Sequence, residues 1–373
     1  MHITLLQLNN FRNYLTLQFA PQNTLNVLVG KNAQGKSAVL EAIYFLATSK
    51  SHRTSRDQDM ICIGHDYLRV EAAVSRVQQN DFPIEIAMDR ANHKSAKING
   101  SKHPRVTDVL GQLNVVIFNS QDIEMVRGEP LSRRRFMNLD ISQSNPRYAY
   151  ALSGYKKVLM HRNNLLKEIK NGNSSSNELL VWNSQLSGFG ASVITRRRSF
   201  LDELGRYASG VYSELTGGSE EFTIRYHPNP DSAGDLNEQQ IADLILEKLK
   251  SRTELDIIRG TTTCGPQRDD FTIKIANLNA RDFASQGQQR SAAIAIRIAQ
   301  MRVFEEITGE TPVILLDDVL AELDSDRRRA LTSMLSGKCQ TLITTTNTEE
   351  IPQEILAEAT VFSVSSGVIT QRT

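Results

Sequence analysis

Two stretches far apart in the chain carry side chains suited to phosphate chemistry. Gly30-Lys-Asn-Ala-Gln-Gly35-Lys36-Ser37 has the spacing G-x-x-x-x-G-K-[ST]. Glycines at these positions let backbone N–H groups wrap the β- and γ-phosphates of a nucleoside triphosphate. Lys36 adds a point charge, and the Ser37 hydroxyl suits Mg²⁺. Near the other end, Val313-Ile-Leu-Leu-Asp317-Asp318 is an apolar run closing in two acids. In that setting Asp317 holds Mg²⁺ through water and Asp318 polarises an attacking water. Buried strands ending in acids are common, so this stretch gains its weight from what precedes it. Ser285-Gln-Gly287-Gln-Gln-Arg290 opens a helical pattern with Ile294, Ile298 and Met301 on one stripe. Ser285 suits an N-cap, and Ser285 and Gly287 present N–H groups at a helix N-terminus, which is an anion site. The chain already has a cradle for its own nucleotide. The second site therefore reads as one for the γ-phosphate of a nucleotide held by another subunit, with a plain capped helix as the alternative.

These groups need elements to hold them. The phosphate loop follows an apolar run at 25–29 and precedes a helical pattern of Val39, Leu40, Ile43, Leu46 and Ala47, the strand-loop-helix context that the motif requires. Around it, Ile3, Leu5 and Leu8, then Leu15, Leu17 and Phe19, then residues 68–74 and 84–88 alternate as half-buried antiparallel strands, with a tight turn at Asn99-Gly100. The runs at 25–29 and 113–118 are continuously apolar, as in strands covered on both faces. From about residue 122 the texture turns helical. Two antiparallel helices are predicted, joined by the linker-like Asn171-Gly-Asn-Ser-Ser-Ser-Asn177, the second running over 186–215 to a stop at Gly217-Gly218. Strands are predicted at 222–226, 271–275, 313–316 and 341–345, helices at 241–249 and 290–307, and a last hairpin around Ser365-Ser-Gly367.

Composition sets the bounds. With 373 residues, 40% hydrophobic and 23% charged, the chain is long enough for about two domains, and disorder or a disulfide scaffold is excluded. Cys62, Cys264 and Cys339 are scattered and odd in number, which suits a reducing compartment, and no stretch has the length of a membrane span. A cytoplasmic protein is expected. Lys+Arg 43 against Asp+Glu 42 leaves a net charge of +1, so nucleic acid would have to meet a local basic face.

Together with Leu320-Ala-Glu-Leu-Asp324, the three motifs resemble the ABC-type ATPase heads of SMC and related DNA-repair proteins, in which Leu-x-x-Leu-Asp is the D-loop at a dimer interface. More closely, the chain resembles the RecF family of bacterial recombination mediators. The matching stretches are Asn10-Phe-Arg-Asn-Tyr14, Gln34-Gly-Lys-Ser37 with Leu40-Glu-Ala-Ile43, Ser51-His-Arg53, Gly265-Pro-Gln-Arg-Asp-Asp-Phe271, Ser285-Gln-Gly-Gln-Gln-Arg290, residues 315–324 and Thr344-Thr-Thr346. They run nearly end to end, in the family's order. A short helical segment stands where SMC relatives insert a long coiled coil. Two positions depart from the family's pattern: Gln267 replaces a histidine, and Phe118-Asn-Ser-Gln-Asp122 replaces Phe-Ser-Pro-Glu-Asp.

The resemblance implies an α/β fold, an ABC/SMC-type P-loop ATPase head of mixed sheets and helices over residues 1–121 and 262–373, with a mainly helical lid or arm over 122–261. It implies ATP and Mg²⁺ as ligands. Lys36 and Asp318 would be catalytic, and Arg12, Asn13, Gly30, Asn32, Gly35, Lys36, Ser37, Ala38 and Gln121 would contact nucleotide. Ser37 and Asp317 would hold the metal, Ser285, Gly287 and Gln288 would form the signature acting in trans, and Asp324 would be the D-loop acid. For Gln121 a solvated loop amide is an equal alternative. The implied activity is slow, DNA-stimulated ATP hydrolysis that resets a homodimer formed on ATP. The implied partners are duplex DNA near single-strand junctions, and RecR and RecO, with which the protein would load RecA at gaps.

Three arginine triplets are the strongest basic features. Arg196, Arg197 and Arg198, with Lys156, Lys157 and Arg162 on the other arm helix, are candidates for a phosphate-facing surface, against a reading as solvated helix faces. Arg133 to Arg135 form a second triplet, and Arg327 to Arg329, after the D-loop, suit support of the head. His52 and Arg53 fall in the family's Ser-His-Arg and are expected near nucleotide or DNA; the other histidines show no metal spacing. A transporter ATPase would instead carry Leu-Ser-Gly-Gly-Gln and a histidine after the last core strand, and neither is present.

Overall fold

The computed structural model describes residues 1–77, 79–218, 220–233, 236–335, 337 and 339–372. The chain forms two compact units. The first comprises Met1–Ile123, Glu214–Gly217 and Arg290–Thr373, and the second Glu124–Ser213 and Gly218–Gln289.

The first unit contains two six-stranded sheets. One is antiparallel, formed by β1 (His2–Phe11), β2 (Tyr14–Phe19), β4 (Tyr67–Arg76), β5 (Gln79–Asp89), β6 (Lys94–Ile98) and β7 (Ser101–His103) in the order β2-β1-β4-β5-β6-β7. Its alternating sequence buries one face: Leu6, Leu8, Val70, Ala72, Ile84 and Ile86 are all buried. At the β6–β7 turn Asn99 and Gly100 both take positive φ, 50° and 76°, the backbone of a tight two-residue hairpin. The other sheet contains β3 (Leu25–Val29), β8 (Val115–Phe118), β12 (Val313–Asp317), β13 (Thr341–Thr345), β14 (Thr360–Ser365) and β15 (Val368–Gln371) in the order β15-β14-β3-β13-β12-β8. All its pairings are parallel except β14 with β15. The central strands β3 and β13 are buried at every residue, which is why their sequences do not alternate. Helix Lys36–Thr48 touches strands of both sheets. It is apolar all round because every residue but Ser37 is buried.

The second unit is mainly helical: Pro130–Ser144, Pro146–Lys170, Leu179–Thr216, Glu238–Ser251 and Thr253–Arg259, with a three-stranded sheet of β9 (Phe222–His227), β10 (Asp270–Ile275) and β11 (Leu278–Asn279). Asn145 separates the first two helices and caps the second, accepting from the Tyr148 N–H at 3.0 Å, with Pro146 at the first helical position. The third helix begins earlier than its apolar pattern predicts. Ser175 caps a short turn at Ser176–Glu178 that runs straight into it, so the helix already begins at Leu179, where Leu180 and Val181 are exposed and add nothing to a buried stripe. It ends, as the glycine pair predicts, where Gly217 and Gly218 take φ of 71° and 75°. Among the described residues no helix is long and apolar enough to cross a membrane.

Candidate nucleotide-binding site

The phosphate loop leaves the carboxyl end of β3, and the two acids lie at the carboxyl end of β12. Only β13 separates these strands, which puts both motifs at one end of a parallel sheet, where ligands of such sheets bind. The loop is held open by its neighbours. Tyr14 Oη donates to Gly35 O at 3.2 Å and Asn13 Nδ2 to Gln34 O at 3.1 Å. Gly35 has φ 114°, and a Cβ there would lie 2.6 Å from Tyr14 Oη, so only glycine fits. Beside them the Ser366 N–H donates to Gln34 Oε1 at 2.7 Å. A Cβ on Gly30 would meet Val364 O at 2.3 Å. Lys36 folds inward and its Nζ donates to Gly30 O at 2.8 Å and Lys31 O at 3.2 Å. Those carbonyls hold the ammonium where a phosphate would replace them as its partner.

The loop opens onto a cleft of about 510 Å³ lined on one side by Asn32, Gly35, Lys36, Ser37 and Ala38 and on others by Arg12, Asn13, Arg53, Cys62 and Asp318. Arg12 is fixed by Glu41, a fully buried acid on the loop's own helix, through Nε at 2.8 Å and Nη2 at 2.6 Å. A buried carboxylate demands such a partner. Glu41 is the residue that motif reasoning passes over: the signal was an acid in the middle of an apolar helix.

Asp317 faces the same loop. Its Oδ1 accepts from Thr344 Oγ1 at 2.9 Å. Burial acts to raise its carboxyl, but the His52 ring, the Ser37 hydroxyl and the Thr344 hydroxyl outweigh it and hold it below the ordinary carboxylate value. Asp317 is thus an anion at neutral pH, close to the Ser37 hydroxyl. One carboxylate, one hydroxyl and substrate phosphates are the hard oxygen donors that Mg²⁺ takes while keeping several waters, so the residues fit that ion. Asp318 follows in the left-handed region with φ 54°, a conformation that aspartate tolerates, and Thr344 Oγ1 accepts from its N–H at 3.0 Å.

Other expected residues lie elsewhere. Gln121 is on an exposed turn at Ser120–Asp122 and does not line the cleft; its N–H is capped by Asn119 Oδ1 at 2.8 Å. Ser285 and Gln288 belong to the second unit and cap helix Gln286–Thr308 reciprocally, Ser285 N–H to Gln288 Oε1 at 2.8 Å and Gln288 N–H to Ser285 Oγ at 3.2 Å. Gly287 is half-buried in that first turn. Asp324 caps the following helix, accepting from the Arg327 N–H at 2.9 Å. Arg328 donates to Leu320 O and Leu323 O at 3.0 and 2.9 Å, which ties the D-loop down.

The arginine triplet does not share one face. Three successive helical residues point about 100° apart, and here each has a separate task. Arg197 is buried and donates to Asp269 Oδ2 at 2.7 Å, Pro266 O at 2.7 Å, Asn138 Oδ1 at 2.8 Å and Tyr148 Oη at 3.0 Å. Arg198 donates to Leu236 O at 2.9 Å, and Arg196 pairs with Glu238 at 3.3 Å. Arg162 is likewise buried, on Asp256 at 2.9 Å. Gln267 has a clear place: Tyr155 Oη donates to its Oε1, and its Nε2 donates to Cys264 O at 3.0 Å.

Residues 2–370 match the family described as the RecF/RecN/SMC N terminal domain. The chain is 38% identical to the DNA replication and repair protein RecF of Lactobacillus delbrueckii subsp. bulgaricus, over 100% of this chain and 98% of that one. It is 37% identical to the protein of the same name from Oceanobacillus iheyensis, over 99% of this chain and 100% of that one. Among solved structures it is similar to the recombination mediator protein RecF with ATP in the RecFOR pathway, with TM-score 0.92, 30% identity and coverage of 100% and 98% of the two chains. A weaker likeness, TM-score 0.55 at 17% identity, to an Smc head bound to the C-winged helix domain of ScpA concerns the fold alone.

Proposed function

The chain belongs to the RecF family of DNA replication and repair proteins, with the ABC/SMC-type ATPase head fold, and from that premise we propose that it is an ATP-driven switch acting on DNA at single-strand gaps. ATP enters the cleft with its phosphates on the 30–37 loop, and Lys36 exchanges the Gly30 and Lys31 carbonyls for phosphate oxygens. Ser37 and Asp317 would hold Mg²⁺, which would neutralise phosphate charge. Asp318 orients and polarises the attacking water. Ser285, Gly287 and Gln288 of a second copy complete the site, so ATP closes a homodimer and hydrolysis reopens it. DNA binding by the closed dimer stimulates a slow hydrolysis, and RecO and RecR are its partners in loading RecA, in the cytoplasm.

The observation that carries this reading is the pairing of phosphate loop and acid pair on strands flanking β13, with Asp317 close to Ser37. Sedimentation with and without ATP and a gapped duplex tests it. The expected result is a monomer that becomes a dimer on ATP and a larger complex when the duplex is added. In Lys36→Ala both shifts disappear, with ATP affinity lowered about 10–100-fold for loss of a charged hydrogen-bond donor. A wild-type protein that sediments identically in all four conditions would refute the proposal.

A further inference from the structure

Just past the phosphate-loop helix, His52 is packed against the acid pair. Its side chain is 7% exposed, and Nε2 lies 3.9 Å from Asp317 Oδ2, beyond hydrogen-bond length. Its ring stands edge-on to Tyr44, centroids 5.2 Å apart at 80°. Neither ring nitrogen has a hydrogen-bond partner. Leaving such a group unpaired is costly, and a phenylalanine or leucine filling the same space would avoid that cost. The turn itself does not need the imidazole: Ser51 Oγ sets it, accepting from the N–H groups of Arg53 and Thr54 at 2.9 and 3.1 Å. The unpaired nitrogens therefore point to a state in which they find a partner. Asp317 lies opposite the ring. Its Oδ1 is taken by Thr344, while Oδ2 faces the ring.

We propose that His52 is a positioning residue for the cation site, its Nε2–H donating to Asp317 Oδ2 when a hydrated Mg²⁺ is bound and fixing the orientation in which the carboxylate meets the ion's water shell. A shift of about 1 Å closes the present gap to a normal hydrogen bond. Outer partners of this kind set how tightly an ion is held, typically by 10–100-fold. The inference rests on the nucleotide reading above, and its test separates the two.

Equilibrium binding of a fluorescent ATP analogue is measured in EDTA and across a Mg²⁺ titration for the wild type, His52→Leu and His52→Gln. The glutamine amide can place an N–H near the position of Nε2. In His52→Leu the Mg²⁺ concentration giving half-maximal tightening rises about 10-fold or more, affinity in EDTA is unchanged, and His52→Gln restores most of the wild-type response. If His52→Leu does not melt cooperatively, His52→Phe, which keeps a ring against Tyr44, replaces it with the same expected result. A wild-type Mg²⁺ dependence in the folded apolar variant overturns the inference, as does an equal loss in EDTA and in Mg²⁺, which would make the ring a support of the loop alone. Absence of nucleotide binding by the wild type overturns the nucleotide reading and this inference with it.

Discussion

At the scale of single residues the site separates two carboxylates that adjoin in sequence. Asp317 is fastened to Thr344 beside Ser37, whereas Asp318 turns into the left-handed region and reaches the cleft wall. Asparagine accepts that backbone as readily as aspartate. Asp318→Asn is therefore expected to fold normally, bind Mg²⁺ and ATP near wild-type affinity, and hydrolyse about 10²-fold or more slowly, as for loss of a general base. Single-turnover hydrolysis alongside equilibrium binding checks this, and an undiminished rate would move the base elsewhere. These acids and the phosphate loop were legible in the sequence because each motif is contiguous and its chemistry local. Glu41 and Tyr14 were not legible as site-building residues, and His52, expected near nucleotide or DNA, was not legible as a neighbour of Asp317. Their tasks are defined by partners brought near by folding, such as Arg12 on Glu41 across 29 residues of chain.

Among elements, buried charge decides what holds. The loop-rich segment around Asp269 is fastened to helix Leu179–Thr216 through Arg197, which lies with Tyr148 and Tyr226 around that carboxylate. Arg197→Ala should cost about 3–5 kcal/mol, since it strands a buried acid. Arg196→Ala, on a half-open pair, should cost less than about 1 kcal/mol. Urea unfolding of the two variants compares them directly, and equal midpoints would contradict the assignment. The sequence showed three basic residues on a helix but not which way each pointed, since an arginine at a buried position is visible only once its acid, 72 residues away, is known.

A second fastening joins the hairpin to the phosphate-loop helix. Lys94 Nζ donates to Asp57 Oδ2 at 2.7 Å and to Ser49 O at 2.6 Å, and Lys50 reaches the same carboxylate at 2.7 Å. Burial acts to raise the Asp57 carboxyl, but the two lysines hold it below its ordinary value. A carboxyl lowered on folding stabilises fully above its unfolded pKa of about 4 and loses that contribution as pH falls through the folded value. Asp57→Asn should thus cost about 1–3 kcal/mol at neutral pH, discounted because Lys50 is half-exposed. The gap to wild type should narrow below about pH 4. Thermal melts of both proteins across pH 3–7 measure it, and a gap constant through that range would rule the pair out as its source.

For the whole molecule, a switch must be able to bind nucleotide without closing. Ser285 is exposed at the first turn of helix Gln286–Thr308 and serves the monomer only as a cap. Ser285→Arg is expected to lose about 1 kcal/mol of stability from the cap, keep ATP binding as a monomer, and fail to dimerise, because a long cation occupies the anion site that the second copy's γ-phosphate needs. Gel filtration with ATP checks this, and a wild-type dimer fraction would remove the signature from the interface.

The order in which the central sheet takes its strands from the chain bears on how the protein is made. β3, which carries the phosphate loop, has β13 and β14 as its sheet neighbours, and Asn26 reaches the Thr341 carbonyl across 315 residues. A ribosome delivers the strands that flank the loop long after the loop itself. Until residues 341–365 have emerged, the nascent loop has no sheet to stand on, and contacts so distant in sequence are slow to form. Nucleotide binding is therefore expected only after residues 341–365 have joined β3.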